Sequence, residues 1–460
     1  MKTSTINYVK IEKLYGHKSF NVELIDNQLI IVGENGLGKS TVINILFYTL
    51  TSQWQKLLKY QFHKIEVGVN GKSYSFTMDD INSVFDKVNE NSYINLLFKL
   101  KNHNLTAKQA YLSFSSDIYR KLRNDSFSEP ARLRRALMEL ADNKLTLDHL
   151  PKSLLKLESA LNFHVLYLPT YRRIERDLKQ IFPSLEEDLQ KYNRYHSSIS
   201  RNREHVELVE FGMQDVQSMI SLKMNQLENE FRSSLERLTS GYLRVILRKE
   251  YKEESALPEY KFNDQELDSI FEKIERDGSF FSRDDLKNLR NTAHALNEGN
   301  LSSDIDMLSA HLIKQLLNLH KNQLNKEDKV RTFAKITNSY LKGKKFDFNS
   351  KEFRLPLVPD FENEDYVLCN STDEIDLSQL SSGEKQIVSL FAHMYLSDFD
   401  DFLVIIDEPE LSLSVPWQKR LLVDITSTEN CNGLIAVTHS PFVYNNSLKS
   451  KAKSLMEFYI

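Results

Sequence analysis

Apolar and polar positions alternate from Ile6 to Ile11 and again from Phe20 to Leu24, with a turn at Gly16 between them, which predicts a pair of strands. Leu29-Ile30-Ile31-Val32 breaks the alternation, and four apolar residues in a row ending at Gly33 predict a strand covered on both faces. Thr41 to Leu50 then predicts a helix, with Ile43, Phe47 and Leu50 along one side. Ile65 to Val69, Asn70-Gly71 and Tyr74 to Phe76 predict a hairpin, because Asn-Gly suits a two-residue turn.

From about Asn102 to Leu161 the pattern is helical and polar, and Val165 to Leu168 predicts another buried strand, stopped by Pro169. Strand signals are sparse between Leu185 and Leu341. There, Leu227, Phe231, Leu235 and Leu238 form one helical stripe, and Ile305, Leu308, Leu312, Leu316 and Leu319 form another. Glu253 to Asp264, with Pro258, interrupts them, so the region predicts an antiparallel helical hairpin. About 40 residues a limb at ~1.5 Å each makes an arm of at most roughly 60 Å. Phe402 to Ile406 and Gly433 to Val437 are buried-strand runs again, with a helix near Trp417 to Ile425 between them. Strands at both ends and helices between predict one α/β domain split by an insertion. The expected parts are an N-terminal lobe 1–182, a helical insertion 183–345 and a C-terminal lobe 346–460.

Composition narrows the class without naming a function. The 460 residues are 41% hydrophobic and 27% charged, with 13 Gly and 10 Pro, which excludes collagen-like and largely disordered chains. Sixty basic against 64 acidic residues give a net charge of -4, so a nucleic-acid contact would need a local basic patch. The densest basic stretch, Arg120, Lys121, Arg123, Arg132, Arg134 and Arg135, followed by Arg201 and Arg203, reads first as solvated helix faces. The chain starts without the apolar core of a signal peptide, and no run reaches the roughly 18 apolar residues of a membrane span. Cys369 and Cys431 form no Cys-x-x-Cys pair. The expectation is a cytoplasmic protein with no membrane contact.

The first chemical signal is Gly33-Glu34-Asn35-Gly36-Leu37-Gly38-Lys39-Ser40, which satisfies G-x-x-x-x-G-K-[ST] between a strand and a helix. Its backbone N–H groups would converge on phosphates at a helix N-terminus. Gly33, Asn35, Gly36, Gly38, Lys39, Ser40 and Thr41 are the nucleotide-binding candidates. Lys39 would neutralise the β- and γ-phosphates and Ser40 would ligate Mg²⁺, which makes ATP and Mg²⁺ the expected cofactors. At the end of the run Phe402 to Ile406 stand Asp407, a metal ligand directly or through water, and Glu408, which would polarise the attacking water. Glu410 follows at once, so a solvated acidic loop is the alternative. His439 comes after the next apolar run and could reach a γ-phosphate as a donor if the two strands pair.

Leu380-Ser381-Ser382-Gly383-Glu384-Lys385-Gln386 precedes a helical stripe of Ile387, Leu390, Phe391 and Met394. Ser381 and Glu384 have capping-box spacing, and the helix start could bind a second phosphate. Together these segments resemble the ABC-type ATPases of the SMC, RecF and OLD kind, in the order Walker A (Gly33 to Thr41), insertion, signature (Leu380 to Gln386), Walker B (Leu403 to Glu408), D-loop (Glu410 to Leu413) and switch histidine (His439). The resemblance covers the two ends, about half the chain. It implies a P-loop NTPase of the ABC/SMC head type with a short coiled-coil hairpin, and an ATPase in which Lys39, Glu408 and His439 are catalytic. It also implies a homodimer or larger assembly, because Ser381 and Gly383, with Glu384, of one head would face the nucleotide of another. Ser382 departs from the glycine many relatives carry there.

No glutamine marks the Q-loop of that family. Instead Tyr167-Leu168-Pro169-Thr170-Tyr171-Arg172-Arg173-Ile174-Glu175 looks like the Leu-Pro-x-x-Arg-Arg-Ile-Glu stretch of a bacterial defence-associated subset. Arg172 or Arg173 is a candidate nucleotide sensor or a bridge to the insertion; a pair salt-bridged to Glu175 is the alternative. The 21 residues after His439 are too few for the TOPRIM domain of OLD nucleases, and no nuclease signature is visible. A compact head without an effector is similar to the ATPase subunits of two-gene antiphage systems, the AriA family of PARIS first and the PtuA family of Septu next. That likeness implies a separate nuclease partner of TOPRIM or HNH type and a phage-encoded trigger. A RecF-like ATPase acting directly on DNA, and a nucleotide-binding platform that hydrolyses poorly, are the alternatives.

Overall fold

β1 (Ile6–Leu14) pairs antiparallel with β2 (Lys18–Glu23) and with β4 (Lys64–Val69), which pairs in turn with β5 (Lys72–Thr77). The order β2-β1-β4-β5 places alternating side chains such as Val9, Ile11, Val22, Ile65 and Val67 on a buried face. Asn70-Gly71 forms the expected two-residue turn, both residues lying in the left-handed region.

A second sheet holds β3 (Gln28–Val32), β6 (His164–Leu168), β7 (His205–Glu207), β10 (Phe402–Asp407), β11 (Cys431–Thr438) and β12 (Ala452–Ser454). All its pairings are parallel, in the order β12-β3-β11-β10-β6-β7. The continuous apolar runs explain the central positions: β3, β11 and β10 each have neighbours on both sides. Asn27 ties the two sheets together. Its Oδ1 accepts from the Ile6 N–H at 2.6 Å, its Nδ2 donates to the Ser4 and Asn432 carbonyls, and its own carbonyl accepts from Leu434.

The computed structural model describes residues 4–34, 36–85, 96–97, 99–100, 105–122, 129–142, 151–161, 163–169, 205–207, 213–248, 264–277, 281–298, 304–360, 374–397 and 399–460. The chain divides into two units, Met1–Phe211 with Phe399–Ile460, and Gly212–Asp398. In the first, helix α1 (Lys39–Leu50) packs between the two sheets' residues in one core with Val9, Ile31, Ile65, Ile405 and Ile435. It starts two residues before the expected Thr41 and buries Val42, Ile45 and Leu46 besides the predicted Ile43, Phe47 and Leu50, so it is covered nearly all round. The Phe47 ring lies 4.2 Å from that of Tyr167, whose hydroxyl donates to Asn44 at 2.8 Å, which fixes α1 against β6.

The second unit contains α2 (Gln214–Arg248), α3 (Asp264–Asp277), α4 (Arg283–Asn297), α5 (Asp304–Asn338), the ribbon β8 (Lys344–Phe346) with β9 (Leu357–Pro359), and α6 (Ser382–Leu396). The long helices α2 and α5, each 35 residues or about 50 Å, pack together, but α3, α4 and α6 pack on α5 as well. The region is therefore a helical cluster and not a bare two-limbed hairpin. Two amphipathic helices that begin beyond the Pro258 interruption supply the extra layer. A buried ion pair, Lys273 Nζ to Glu327 Oε1 at 2.6 Å with both side chains fully covered, joins α3 to α5. Among the described residues no helix is long and apolar enough to cross a membrane.

Candidate functional site: the ends of three parallel strands

Parallel register brings the predicted residues to one edge. Asp407 is level with Val437, Val437 with Ile31, and Thr438 with Val32. The residues that follow, Glu408 after β10, His439 after β11 and Gly33 after β3, therefore leave the sheet side by side at its carboxyl end, where open α/β sheets bind ligands. The strand pairing that a role for His439 requires is present.

Gly33 to Ser40 wraps the N-terminus of α1. Gly36 and Gly38 have φ of 82° and 95°, and Gly38 caps the helix in the left-handed conformation, which side chains rarely adopt. Lys39 Nζ donates to the Gly33 and Glu34 carbonyls at 3.0 and 2.9 Å, so the loop closes on its own ammonium. Burial pulls the Lys39 pKa down, and the charges of Glu408, Asp407 and Glu410 oppose that pull. Ser40 is exposed beside it and Thr41 is half-buried. Asn35, Arg172 and Arg173 lie outside the described residues, as do Arg123, Arg201 and Arg203 of the basic stretch. Arg132, Arg134 and Arg135 are exposed on the helix Pro130–Asp142, with Arg134 over the Tyr111 ring at 5.3 Å.

Asp407 is 6% exposed at the tip of β10. Glu408 turns the chain with φ of 56°, a strained conformation for a long side chain costing ~1–3 kcal/mol. Its N–H still donates to Val437 at 2.8 Å, extending the ladder one step, so the turn allows both carboxylates to serve the same edge. Burial first, then the charge of and hydrogen bond with Glu410 and the charge of Asp407, push the Glu408 carboxyl up to about 7, against the pull of Lys39. His439 Nε2 lies 3.2 Å from Glu408 Oε1. A carboxyl poised near neutrality and in reach of an imidazole suits proton handling at an attacking water.

For a divalent cation this edge offers the Ser40 hydroxyl and, of its three carboxylates Asp407, Glu408 and Glu410, the one at the tip of β10, Asp407. Among the described residues no group of three or more His, Cys, Asp and Glu could form a metal cage. That set fits Mg²⁺, which keeps waters and takes its other ligands from substrate phosphates. Mg²⁺ would supply charge neutralisation at bound phosphates.

The signature residues stand in the second unit, at the start of α6. Ser381 accepts from the Glu384 N–H at 3.4 Å and Glu384 Oε2 accepts from the Ser381 N–H at 2.8 Å, completing the capping box the spacing predicts. The Glu384 carboxylate also meets Lys344 Nζ of β8 at 3.0 Å. Ser381 and Ser382 are exposed, Gly383 and Glu384 buried.

Two residues join the site beyond the predicted set: Glu410, which the sequence offers only as part of an acidic loop or the start of the D-loop, and Gln418, which it does not single out. Glu410 accepts from Thr438 Oγ1 and from the backbone N–H groups of His439 and Ser440, and Gln418 of α7 (Val415–Thr426) accepts from Ser440 Oγ at 2.7 Å. The partners of Glu410 are mostly backbone groups, which leave no mark in a sequence.

A phosphate loop between β3 and α1, facing acidic and histidine-bearing turns of the two next strands, defines a P-loop NTPase of the mixed α/β class. The chain belongs to the family described as "AAA domain, putative AbiEii toxin, Type IV TA system", which matches residues 29–445. It is an AAA-type ATPase domain by that membership. Solved structures similar to it include the Smc head domain with an extended coiled coil bound to the C-terminal domain of ScpA, from Pyrococcus furiosus. That one is 15% identical, covers 96% of this chain and 92% of the other, and has a TM-score of 0.35. Another is the Smc head domain with a coiled coil and joint from Pyrococcus yayanosii, at 14% identity, 96% and 94% coverage and a TM-score of 0.33. No curated protein matches the chain.

Proposed function

We propose that the protein hydrolyses ATP between two copies of itself and serves as the nucleotide-gated scaffold of a two-component antiphage system, holding a separate nuclease. The observation that carries the hydrolytic reading is the convergence of Lys39, Asp407, Glu408 and His439 at the ends of three adjacent strands. Lys39 binds the phosphates, where Ser40 and Asp407 would hold Mg²⁺ and the ion would supply further charge neutralisation; Glu408 takes the proton of the attacking water, and His439 donates to the γ-phosphate. The exposed Ser381 at a capped helix start supports a role across a dimer, with Gly383 and the helix N–H groups completing a second copy's site. The defence setting follows the likeness to AriA-type subunits, and the family's description as a toxin of a toxin–antitoxin system is in keeping with it.

Complementation tests the shared site. Lys39→Ala and Ser381→Arg should each be inactive alone, and an equimolar mixture should recover part of the turnover, because one composite site in each mixed dimer is intact. Full turnover by Ser381→Arg alone would contradict the shared site. Native mass measurement with ATP bound reads the number of subunits in the same samples.

A further inference from the structure

The structure assigns to Glu410 the task of holding the switch histidine in place: we infer that it is the positioning residue that welds the turn after β10 to the turn after β11. The inference rests on the hydrolytic reading above for its consequence in turnover, and on geometry alone for the weld itself.

Glu410 Oε1 accepts from the His439 N–H at 2.7 Å and from the Ser440 N–H at 3.0 Å, while Oε2 accepts from Thr438 Oγ1 at 2.7 Å. Thr438 is fully buried, and its Oγ1 also accepts from the Ser440 N–H at 3.0 Å. A second strut runs parallel: Ser440 Oγ donates to Gln418 Oε1, and Gln418 Nε2 donates back to the Leu413 carbonyl at 2.9 Å. Three donors on one carboxylate, two of them backbone N–H groups of consecutive residues, fix the direction in which His439 leaves β11. The result is the 3.2 Å approach of His439 Nε2 to Glu408 Oε1. A third carboxylate beside Asp407 and Glu408 is electrostatically unfavourable, so its placement is explained by what it binds rather than by local charge balance.

The test uses the full chain with Glu410→Gln, Glu410→Asp, Glu410→Ala, His439→Ala and the double variant Glu410→Ala/His439→Ala. Two readouts are taken: steady-state ATP turnover, and hydrogen exchange at the His439 and Ser440 amides without nucleotide. Glu410→Gln keeps an acceptor oxygen at the right reach and should keep most turnover and protection. Glu410→Asp keeps the charge but is one methylene short, and should lose both. Exchange at the two amides should quicken about tenfold in Glu410→Ala. Its kcat should fall as far as that of His439→Ala with KM little changed, and the double variant should fall no further. Unchanged protection in both Glu410→Ala and Glu410→Asp overturns the weld. Additive losses in the double variant, or Asp outperforming Gln, overturn the positioning role. If the wild type binds ATP without hydrolysing it, the hydrolytic reading fails by itself, and the exchange measurement still decides whether Glu410 holds the turn. Should Glu410→Ala not fold, the Gln and Asp variants carry both readouts.

Discussion

Replacing Glu408 by Gln removes one charge from a crowded edge while keeping the side chain's size, so its effect on stability without nucleotide can be worked out from the structure. The folded protein binds the Glu408 proton more tightly than the unfolded chain, whose value is 4.5 against about 7 in the native state. Native stability is therefore lost as pH rises through this window, because ionising the group costs more folded than unfolded. A difference of that size corresponds to at most ~3 kcal/mol, and solvent at the open edge screens it to ~1–2 kcal/mol. Glu408→Gln should restore that amount at pH 8, raising Tm by about 1–3 °C, and most of the gain should vanish at pH 5. The assay is thermal unfolding in chelator, free of nucleotide, followed by near-ultraviolet circular dichroism. An equal gain at both pH values, or a loss at pH 8, refutes the reasoning that burial and like charges strain this carboxylate.

Three further outcomes follow from the geometry. Lys39→Ala should abolish high-affinity binding of a fluorescent ATP analogue in a filter or anisotropy assay without unfolding the chain, since the ammonium's present partners are two loop carbonyls; retained affinity removes the site assignment. Gly433→Ala should destabilise by ~1–3 kcal/mol in urea titration, because a Cβ there would stand 2.7 Å from the Asn27 carbonyl and 2.8 Å from Leu403 Cδ1; a neutral result shows that the Asn27 tie between the sheets is loose. Lys273→Met leaves the buried Glu327 with Arg331 opposite at 2.9 Å but without its close ammonium partner, and should cost ~3 kcal/mol. Lys273→Met/Glu327→Leu should recover most of that loss, and an equal or larger deficit in the double variant contradicts the argument.

Much of the nucleotide edge is legible in the sequence because it is written in local pattern. Leu29 to Val32 followed by the glycine-rich loop specifies strand, turn and helix start, and the runs before Asp407 and Thr438 specify strands covered on both faces. Their adjacency is a matter of sheet order, which the pattern does not contain; only the β3-β11-β10 register places Gly33, His439 and Glu408 together. The hold of Glu410 on backbone N–H groups and the left-handed turn at Glu408 are equally silent, since neither requires a special residue type. In the second unit the stripe on α2 is buried as expected at Leu227, Phe231 and Leu235. The stripe on α5 is only partly so: Leu316 and Leu319 are covered, whereas Ala310, Ile313 and Leu317 replace Leu308 and Leu312 among the buried positions. A helix packed by α2, α3, α4 and α6 has no single apolar side for a period of 3.6 to reveal.

We propose that this edge turns over ATP with Glu408 as the group that activates water. Single-turnover release of phosphate from saturating ATP and Mg²⁺, compared between wild type and Glu408→Gln, measures it most directly. Both should bind ATP, the wild type should release phosphate, and the variant should be slower by at least about a hundredfold. Equal rates in the two proteins would contradict it.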